Sequence, residues 1–171
     1  MSLKYRPTTE TVLHQLSFNV QKGEKIGVVG RTGAGKSTIC LSISRIVEIF
    51  EGKIEIDGVN IQDIPLEELR RRITVIPQDP TMFTGTLRFN LDPEGLNGDA
   101  EIESLLQKAQ LLNILYGDQL GLDQVIQENG QNLSSGERQL ICICRAILRK
   151  SKVVVLDEAT ANIDMVTEQK I

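Results

Sequence analysis

One segment restricts the fold of this 171-residue chain more than any other. Residues 30–37 read GRTGAGKS, with an apolar run at 25–29 before them and a helical pattern after them. Glycines at these spacings permit a tight loop whose backbone N–H groups point inward. The positive end of the following helix adds to the attraction for an anion. The segment therefore predicts a strand, an anion-binding loop and a helix, the order found in α/β domains.

The residue types of this loop suit a nucleoside triphosphate. Lys36 would bring a mobile charge to the β- and γ-phosphates, and Ser37 would offer a hydroxyl to Mg²⁺. The alternative is a glycine-rich turn from strand to helix with an exposed lysine. Four constrained positions seldom meet by chance, since glycine averages about 7% of residues. The predicted phosphate-binding residues are Gly30, Arg31, Thr32, Gly33, Ala34, Gly35, Lys36, Ser37 and Thr38.

Two acidic residues, Asp157 and Glu158, directly follow the apolar run at 153–156. A continuous apolar run is typical of a strand covered on both faces of a parallel sheet. Acids after such a strand emerge at the edge where ligands bind in open α/β folds. We predict that Asp157 holds the magnesium shell and that Glu158 orients and deprotonates the attacking water. The alternative is that two acids simply end a strand in solvent.

Periodicity and turn residues predict the remaining elements. Asp57-Gly58 is a strong hairpin signal, and Asp99 is placed to cap a helix. We expect strands at 12–13, 16–20, 25–29, 73–76 and 153–156, a hairpin at 52–61, and helices from Lys36 to about Val47, at 66–72, from about 100 to 116, from Glu137 to about Arg149, and from Asp164 onward.

Charge and composition exclude several classes of protein. The net charge is -4, which argues against a nucleic-acid module because those usually carry a basic excess. No apolar run approaches the roughly 18 residues that suggest a membrane span. The N-terminus lacks the pattern of a secretory signal.

The three cysteines do not form a disulfide framework, which favours a reducing compartment. Cys142 and Cys144 could be taken for metal ligands, but two positions apart on a helix they point to nearly opposite sides. We expect buried reduced thiols that pack as small hydrophobes.

Residues 133–139 (LSSGERQ) resemble the signature segment of ATP-binding cassette (ABC) proteins, departing from its usual LSGGQ at Ser135 and Glu137. Ser134 and Glu137 also form a capping box that any helix start can carry, and both interpretations can hold. The order of segments matches the family throughout: the phosphate loop, IPQ at 76–78, the signature, LDE at 156–158 and ANID at 161–164.

Further segments resemble the second nucleotide-binding domain of the C subfamily, the multidrug-resistance-associated transporters, from residue 4 onward. They are YRP at 5–7, GRTGAG at 30–35, IPQDP at 76–80 and FTGTLRFNLDP at 83–93. The resemblance implies a RecA-like P-loop NTPase core of α/β class, C-terminally truncated. We expect residues 1–171 to be one nucleotide-binding domain fragment. Its expected parts are an antiparallel β subdomain with the first part of the core (1–83), a helical subdomain (84–150) and the second part of the core (151–171).

The resemblance also implies residue roles. Tyr5 matches the aromatic residue that stacks on adenine, although an exposed ring near the terminus is the alternative. Gln78 matches the glutamine that contacts magnesium and the attacking water. Ser134 and Gly136 match residues that contact the γ-phosphate held by a partner domain. Asp164 matches the acidic residue at the dimer seam.

The family resemblance implies binding and hydrolysis of ATP with Mg²⁺, and head-to-tail pairing with a second nucleotide-binding domain, expected in the same polypeptide. The transmembrane domains of a parent exporter are further implied partners, at the cytoplasmic face of a membrane. The family's switch histidine has no counterpart before Ile171, so we expect a fragment with weak turnover on its own. The departures at Ser135 and Glu137 predict weakened activity at the ATP site that this signature would complete on a partner domain.

A second function remains open on sequence grounds, and a third is disfavoured. The C subfamily also contains a channel and channel regulators, in which nucleotide binding gates rather than pumps. Soluble cassette ATPases of DNA maintenance carry long heptad insertions, which the segment between Gln78 and Ser134 lacks.

Overall fold

The computed structural model describes residues 1–6, 8–116 and 120–158. The chain divides into two compact units, Met1–Ile73 (unit 1) and Thr74–Ile171 (unit 2). The described helices and strands are α1 (Lys36–Ile43), β1 (Glu55–Ile56), β2 (Val59–Asn60), α2 (Leu66–Arg72), β3 (Ile73–Ile76), β4 (Gly85–Thr86), α3 (Leu87–Leu91), α4 (Asp99–Lys108), α5 (Leu112–Tyr116), β5 (Val125–Ile126), α6 (Ser135–Leu148) and β6 (Val153–Leu156). Within this part of the chain, none of the helices has the length and hydropathy needed to cross a bilayer.

The hairpin of unit 1 forms where the sequence predicts it. Strands β1 and β2 pair antiparallel, with Glu55 opposite Asn60 and Ile56 opposite Val59. The turn residues Asp57 and Gly58 have φ angles of 52° and 78°. Two successive positive φ values match the twist of a tight hairpin, which is why Asp-Gly is favoured there.

Three predicted strands of unit 1 are not formed. Leu13 makes only an isolated bridge with Leu3, and residues 16–20 and 25–29 have no regular secondary structure. The run at 25–29 is exposed, with Val29 98% accessible. A strand needs a neighbour for its backbone N–H and C=O groups, and among the described residues these segments make no ladder. Apolar alternation alone was therefore not enough to predict these strands.

Helix α1 is shorter than predicted and ends at Ile43 instead of about Val47. The chain leaves the helix at Ser44, and Arg45 then has a φ of 49°. The Arg45 guanidinium donates to the backbone oxygens of Ile61 and Ile64, at 3.0 and 2.9 Å. These tertiary bonds favour the turn over another helical turn.

Unit 2 has a continuous apolar core beneath α3, α4 and α6. Strands β3 and β6 lie side by side, and β4 pairs antiparallel with β5. Strand β6 is covered on one face only, because Val154 and Leu156 are about half exposed. The prediction of a strand covered on both faces was wrong for the described residues. Fully buried members of the core are Leu87, Leu91, Ile102, Leu106, Leu111, Ile126 and Ile141.

The helix predicted from about 100 to 116 is two helices. Helix α4 ends at Lys108 and α5 begins at Leu112, with Gln110 between them at a φ of 60°. The predicted cap at Asp99 was also wrong. Gly98 occupies the N-cap position, and Asp99 is the first helical residue and pairs with Arg88.

Helix α6 begins at Ser135, two positions before its predicted start, and its capping box is formed as predicted. Cys142 and Cys144 are buried free thiols on this helix, which confirms the packing interpretation. Burial raises the pKa of both, and that of Cys144 to about 12. The predicted helix from Asp164 lies outside the described residues.

Candidate functional site

The loop of unit 1 predicted to bind phosphates depends on backbone conformations that glycine adopts. Gly33 and Gly35 have φ angles of 80° and 91°, and Ala34 N–H donates to the Arg31 oxygen at 3.0 Å. A Cβ on Gly35 would lie 2.9 Å from Leu13 Cδ2. Positive φ and a close neighbour together explain why a side chain is excluded at Gly35.

Gly35 is also the N-cap of α1, and it caps the helix without a side-chain hydrogen bond. The start of a helix presents backbone N–H groups and a partial positive charge. Lys36 Nζ turns back over the loop and donates to the oxygens of Gly30 and Arg31, at 3.0 and 3.4 Å. Loop amides, helix start and ammonium therefore lie together, as phosphate binding requires.

Three further predicted residues lie at or beside the same helix. The hydroxyls of Tyr5 and Thr38 are hydrogen-bonded at 2.8 Å. Thr38 is buried, while Tyr5 is 49% exposed. Ser37, in the first turn of α1, is exposed. The structure thus places the Tyr5 hydroxyl against α1, and its stacking on adenine stays a prediction.

The acidic residues of unit 2 lie at the ends of two neighbouring strands. Asp157 N–H donates to the oxygen of Ile76, the last residue of β3, at 3.0 Å. Both strands therefore end at the same edge of their sheet. Gln78 Nε2 donates to Glu158 Oε2 at 3.2 Å. Two residues 80 positions apart, predicted to act on one water, are in direct contact.

The N-terminus of α6 carries the signature segment. Ser134 Oγ accepts from Glu137 N–H at 3.2 Å, and Ser134 N–H donates to Glu137 Oε2 at 2.8 Å. Asn113 Nδ2 donates to Glu137 Oε1 at 2.9 Å. Partial burial opposes ionisation of Glu137, but the hydrogen bonds from Ser134 and Asn113 outweigh it and lower its pKa. Gly136, in the first turn, is half-buried.

Three residues of unit 2 were not expected from sequence patterns. Asn113 joins α5 to the signature through Glu137. Asn90 is fully buried, and Arg145 donates to its backbone oxygen at 2.6 Å. A polar residue inside an apolar stretch was the available signal: Asn90 stands in LRFNL, and Arg145 in ICICRAIL.

The predicted magnesium ligands are a hydroxyl (Ser37), an amide (Gln78) and a carboxylate (Asp157). All three donate oxygen, the donor that Mg²⁺ prefers. A magnesium ion also retains waters and substrate phosphates, so few protein ligands suffice. The described residues contain no group of three or more His, Cys, Asp or Glu that could hold a metal by themselves. Asp164, predicted at a dimer seam, lies outside the described residues.

Comparison with known families decides the assignment. Residues 13–161, most of the chain, match the family model described as ABC transporter. The chain belongs to the ABC transporter family. This membership confirms the resemblance drawn from the phosphate loop, the signature and the two acids.

Relatives that are about half identical to this chain belong to the C subfamily. The chain is 52% identical over 170 residues to ATP-binding cassette sub-family C member 3 of Rattus norvegicus, covering 99% of this chain and 11% of that protein. It is 48% identical over 172 residues to ABC transporter C family member 14 of Dictyostelium discoideum, covering 100% of this chain and 13% of that protein. The chain therefore spans about one tenth of these relatives.

Among solved structures, the chain is similar to a bacterial Atm1-family ABC exporter with ATP bound. The TM-score is 0.91 at 32% identity, over 99% of this chain and 30% of the exporter chain. The fold is thus that of an ABC exporter nucleotide-binding domain of the P-loop NTPase class. The predicted fold class is confirmed.

Proposed function

We propose that the chain binds and hydrolyses ATP and that this activity powers an ABC-type membrane exporter. The observation that carries the proposal is the contact between Gln78 and Glu158 at the ends of β3 and β6. A carboxylate held by an amide at a strand end is suited to orient a water and accept its proton.

Nucleotide binding is assigned to unit 1. The loop at 30–37 and the start of α1 bind the phosphates through backbone N–H groups, and Lys36 exchanges its two carbonyl partners for phosphate oxygens. Tyr5, with an exposed ring beside α1, stacks on the base. Ser37, Gln78 and Asp157 are the residues that would hold Mg²⁺, which neutralises charge on the β- and γ-phosphates when bound.

Hydrolysis is assigned to Glu158 as the base. Its carboxylate takes a proton from the attacking water, and Gln78 fixes the orientation of both. Proton transfer of this kind typically contributes about 10²–10⁴-fold in rate. The remainder comes from positioning and from charge stabilisation by Lys36 and the loop amides.

Partners follow from family membership and from the short span of the chain. We propose head-to-tail pairing with a second nucleotide-binding domain, in which Ser134 and Gly136 contact the γ-phosphate bound by the partner and Asp164 lies at the seam. The transmembrane domains of the parent transporter complete the assembly at the cytoplasmic face of a membrane. The exporter with ATP bound, similar over 99% of this chain, supports this assignment.

The test uses the full-length protein that carries this domain. We expect Glu158→Gln to retain ATP affinity within about threefold and to lose about 10²–10⁴-fold in hydrolysis rate. Lys36→Ala should weaken ATP binding at least about tenfold, since it removes the charge that meets the phosphates. Glu94→Gln and Lys108→Ala, both exposed, are the matched controls. Wild-type turnover in Glu158→Gln would refute the assignment of the base.

A further inference from the structure

A half-buried arginine connects the signature helix to the segment that follows Gln78. Arg145 lies on α6, and its Nε donates to the Asn90 oxygen at 2.6 Å. Its Nη1 donates to the Thr81 oxygen at 3.3 Å, and its guanidinium lies 5.4 Å from the centre of the Phe83 ring. One side chain thus holds both ends of residues 81–90.

The Asn90 side chain also holds this segment, by hydrogen bonds to its backbone. It is fully buried, its Oδ1 accepts from Phe83 N–H at 2.8 Å, and its Nδ2 donates to the oxygens of Phe83 and Thr86 at 2.8 and 3.1 Å. Residues 81–86 therefore take their shape from side-chain bonds, because most of them lie outside helices and strands. Arg145 then fixes that shape against α6.

A second contact joins the same two regions. Met82 is 3% exposed, and a Cβ on Gly130 would lie 2.7 Å from its Cγ. Arg138 of α6 donates to the oxygens of Gly130 and Leu133, at 3.3 and 2.8 Å. The segment after Gln78 is thus packed on the residues that lead into the signature.

We propose that Arg145 is a positioning residue for hydrolysis, acting through Gln78. It keeps residues 81–90 in register with α6, so that Gln78 meets Glu158 when the signature end of the helix is in place. The planar guanidinium suits this role because it reaches two carbonyls at once, which a lysine ammonium on a flexible stem does not do in the same fixed geometry. The inference rests on the proposed function.

The cost of burying this charge supports a specific role. Burial lowers the pKa of Arg145, and its Nη2 is buried without a hydrogen-bond partner among the described residues. A buried donor left unpaired destabilises the fold. An apolar residue at position 145 would avoid that cost but would release the Thr81 and Asn90 carbonyls.

The test is a double-mutant cycle in the full-length protein, with ATP as substrate and kcat expressed per titrated ATP site. Arg145→Lys should lower kcat about tenfold with the KM for ATP unchanged, and should lower it less than about twofold in a Gln78→Ala background, since coupled residues are non-additive. Phe83→Leu, which removes the ring beneath the guanidinium, should show the same pattern more weakly. Arg149→Lys, at the exposed C-cap of α6, is the control and should change neither background.

The outcomes separate the two proposals. If Arg145→Lys lowers kcat by the same factor in both backgrounds, the residue only supports the fold and the inference is wrong. Should Arg145→Lys fail to fold, Phe83→Leu decides the same question. If Glu158→Gln abolishes hydrolysis while the cycle is additive, only the inference fails. If the wild-type protein hydrolyses no ATP, both proposals fail.

Discussion

The side-chain amide of Gln78 donates to the carboxylate of Glu158 across 3.2 Å, and each residue lies two positions beyond the end of a strand. Strand pairing aligns the two ends, and Asp157 N–H bonds to the last residue of β3. The contact is therefore positioned by the sheet itself. A change at either side chain should alter the chemistry of the other without disturbing the strands.

Replacing Gln78 with glutamate tests this contact. Gln78→Glu replaces the amide donor with a second carboxylate, which repels the Glu158 carboxylate instead of donating to it. We therefore expect the contact to be lost and kcat to fall about tenfold or more. The measurement is the hydrolysis rate in the full-length protein, with the exposed Gln107→Glu as control. A wild-type kcat in Gln78→Glu would show that the contact does not serve catalysis.

The conformation of Gly35 predicts a loss of stability in Gly35→Ala. The new Cβ meets Leu13 Cδ2 at 2.9 Å at a φ of 91°. A left-handed φ costs about 1–2 kcal/mol for a residue with a Cβ, and overpacking adds about 1–3 kcal/mol. Gly23→Ala, at a φ of 77° with nothing within 4 Å, should show the first cost alone. Denaturant unfolding measures the free energy of unfolding of the two variants. Equal losses would mean that the Leu13 side chain moves aside at no cost.

Burial of Cys144 predicts a fall in stability at alkaline pH. Its pKa is raised from 9.0 to about 12, so the folded state holds the thiol proton more tightly than the unfolded state. The resulting stability is complete below about pH 9 and is lost between about pH 9 and 12, at no more than about 1.4 kcal/mol per pH unit. Cys144→Ala should flatten that part of the unfolding free energy against pH, whereas Cys40→Ala, at a half-buried position, should leave it steep. An unchanged slope in Cys144→Ala would contradict the assignment.

The capping box of α6 predicts the effect of Ser134→Ala. Removing the side-chain acceptor for Glu137 N–H should cost about 0.5–2 kcal/mol. Ser104→Ala, on the exposed face of α4, should instead be neutral or slightly stabilising, because alanine has the higher helix propensity. Thermal unfolding distinguishes the two. The outcome that contradicts the cap is an equal melting temperature for Ser134→Ala and wild type.

The same box predicts acid sensitivity. The pKa of Glu137 lies below its ordinary 4.5, so its contribution to stability is present above that value and is lost as pH falls through the lowered pKa. Glu137→Gln should therefore lose less unfolding free energy than wild type as the pH falls below 4.5. Chemical unfolding at several acidic pH values measures this difference. Parallel curves for the two proteins would refute it.

Features set by local chemistry were predictable from sequence. The Asp57-Gly58 turn needs only two residues that tolerate positive φ, and α2 with β3 follows from periodicity over 66–76. The capping box needs only Ser134 and Glu137. Each of these features depends on residues close together in the chain, so the local sequence pattern is enough to predict it.

Features set by distant partners were not predictable. Residues 25–29 have the composition of a strand, but pairing depends on a neighbour elsewhere in the chain. Asp99 is a residue type that favours the N-cap position, yet the helix begins one residue earlier than predicted. Asp99 is therefore its first helical residue, and its carboxylate pairs with Arg88. The bonds from Arg145 to Asn90 and Thr81 cross 55 and 64 positions, and no spacing rule encodes them.

The way Lys36 bends back over its own loop has a consequence for ligand discrimination. Its ammonium already donates to two peptide oxygens. A ligand that replaces them therefore gains only the difference in free energy between its own hydrogen bonds to Lys36 and those two. A neutral oxygen offers little improvement over a peptide carbonyl, whereas a formally charged one offers much. We therefore expect Lys36 to favour a molecule with a polyphosphate tail over adenosine, independently of any contact to the base.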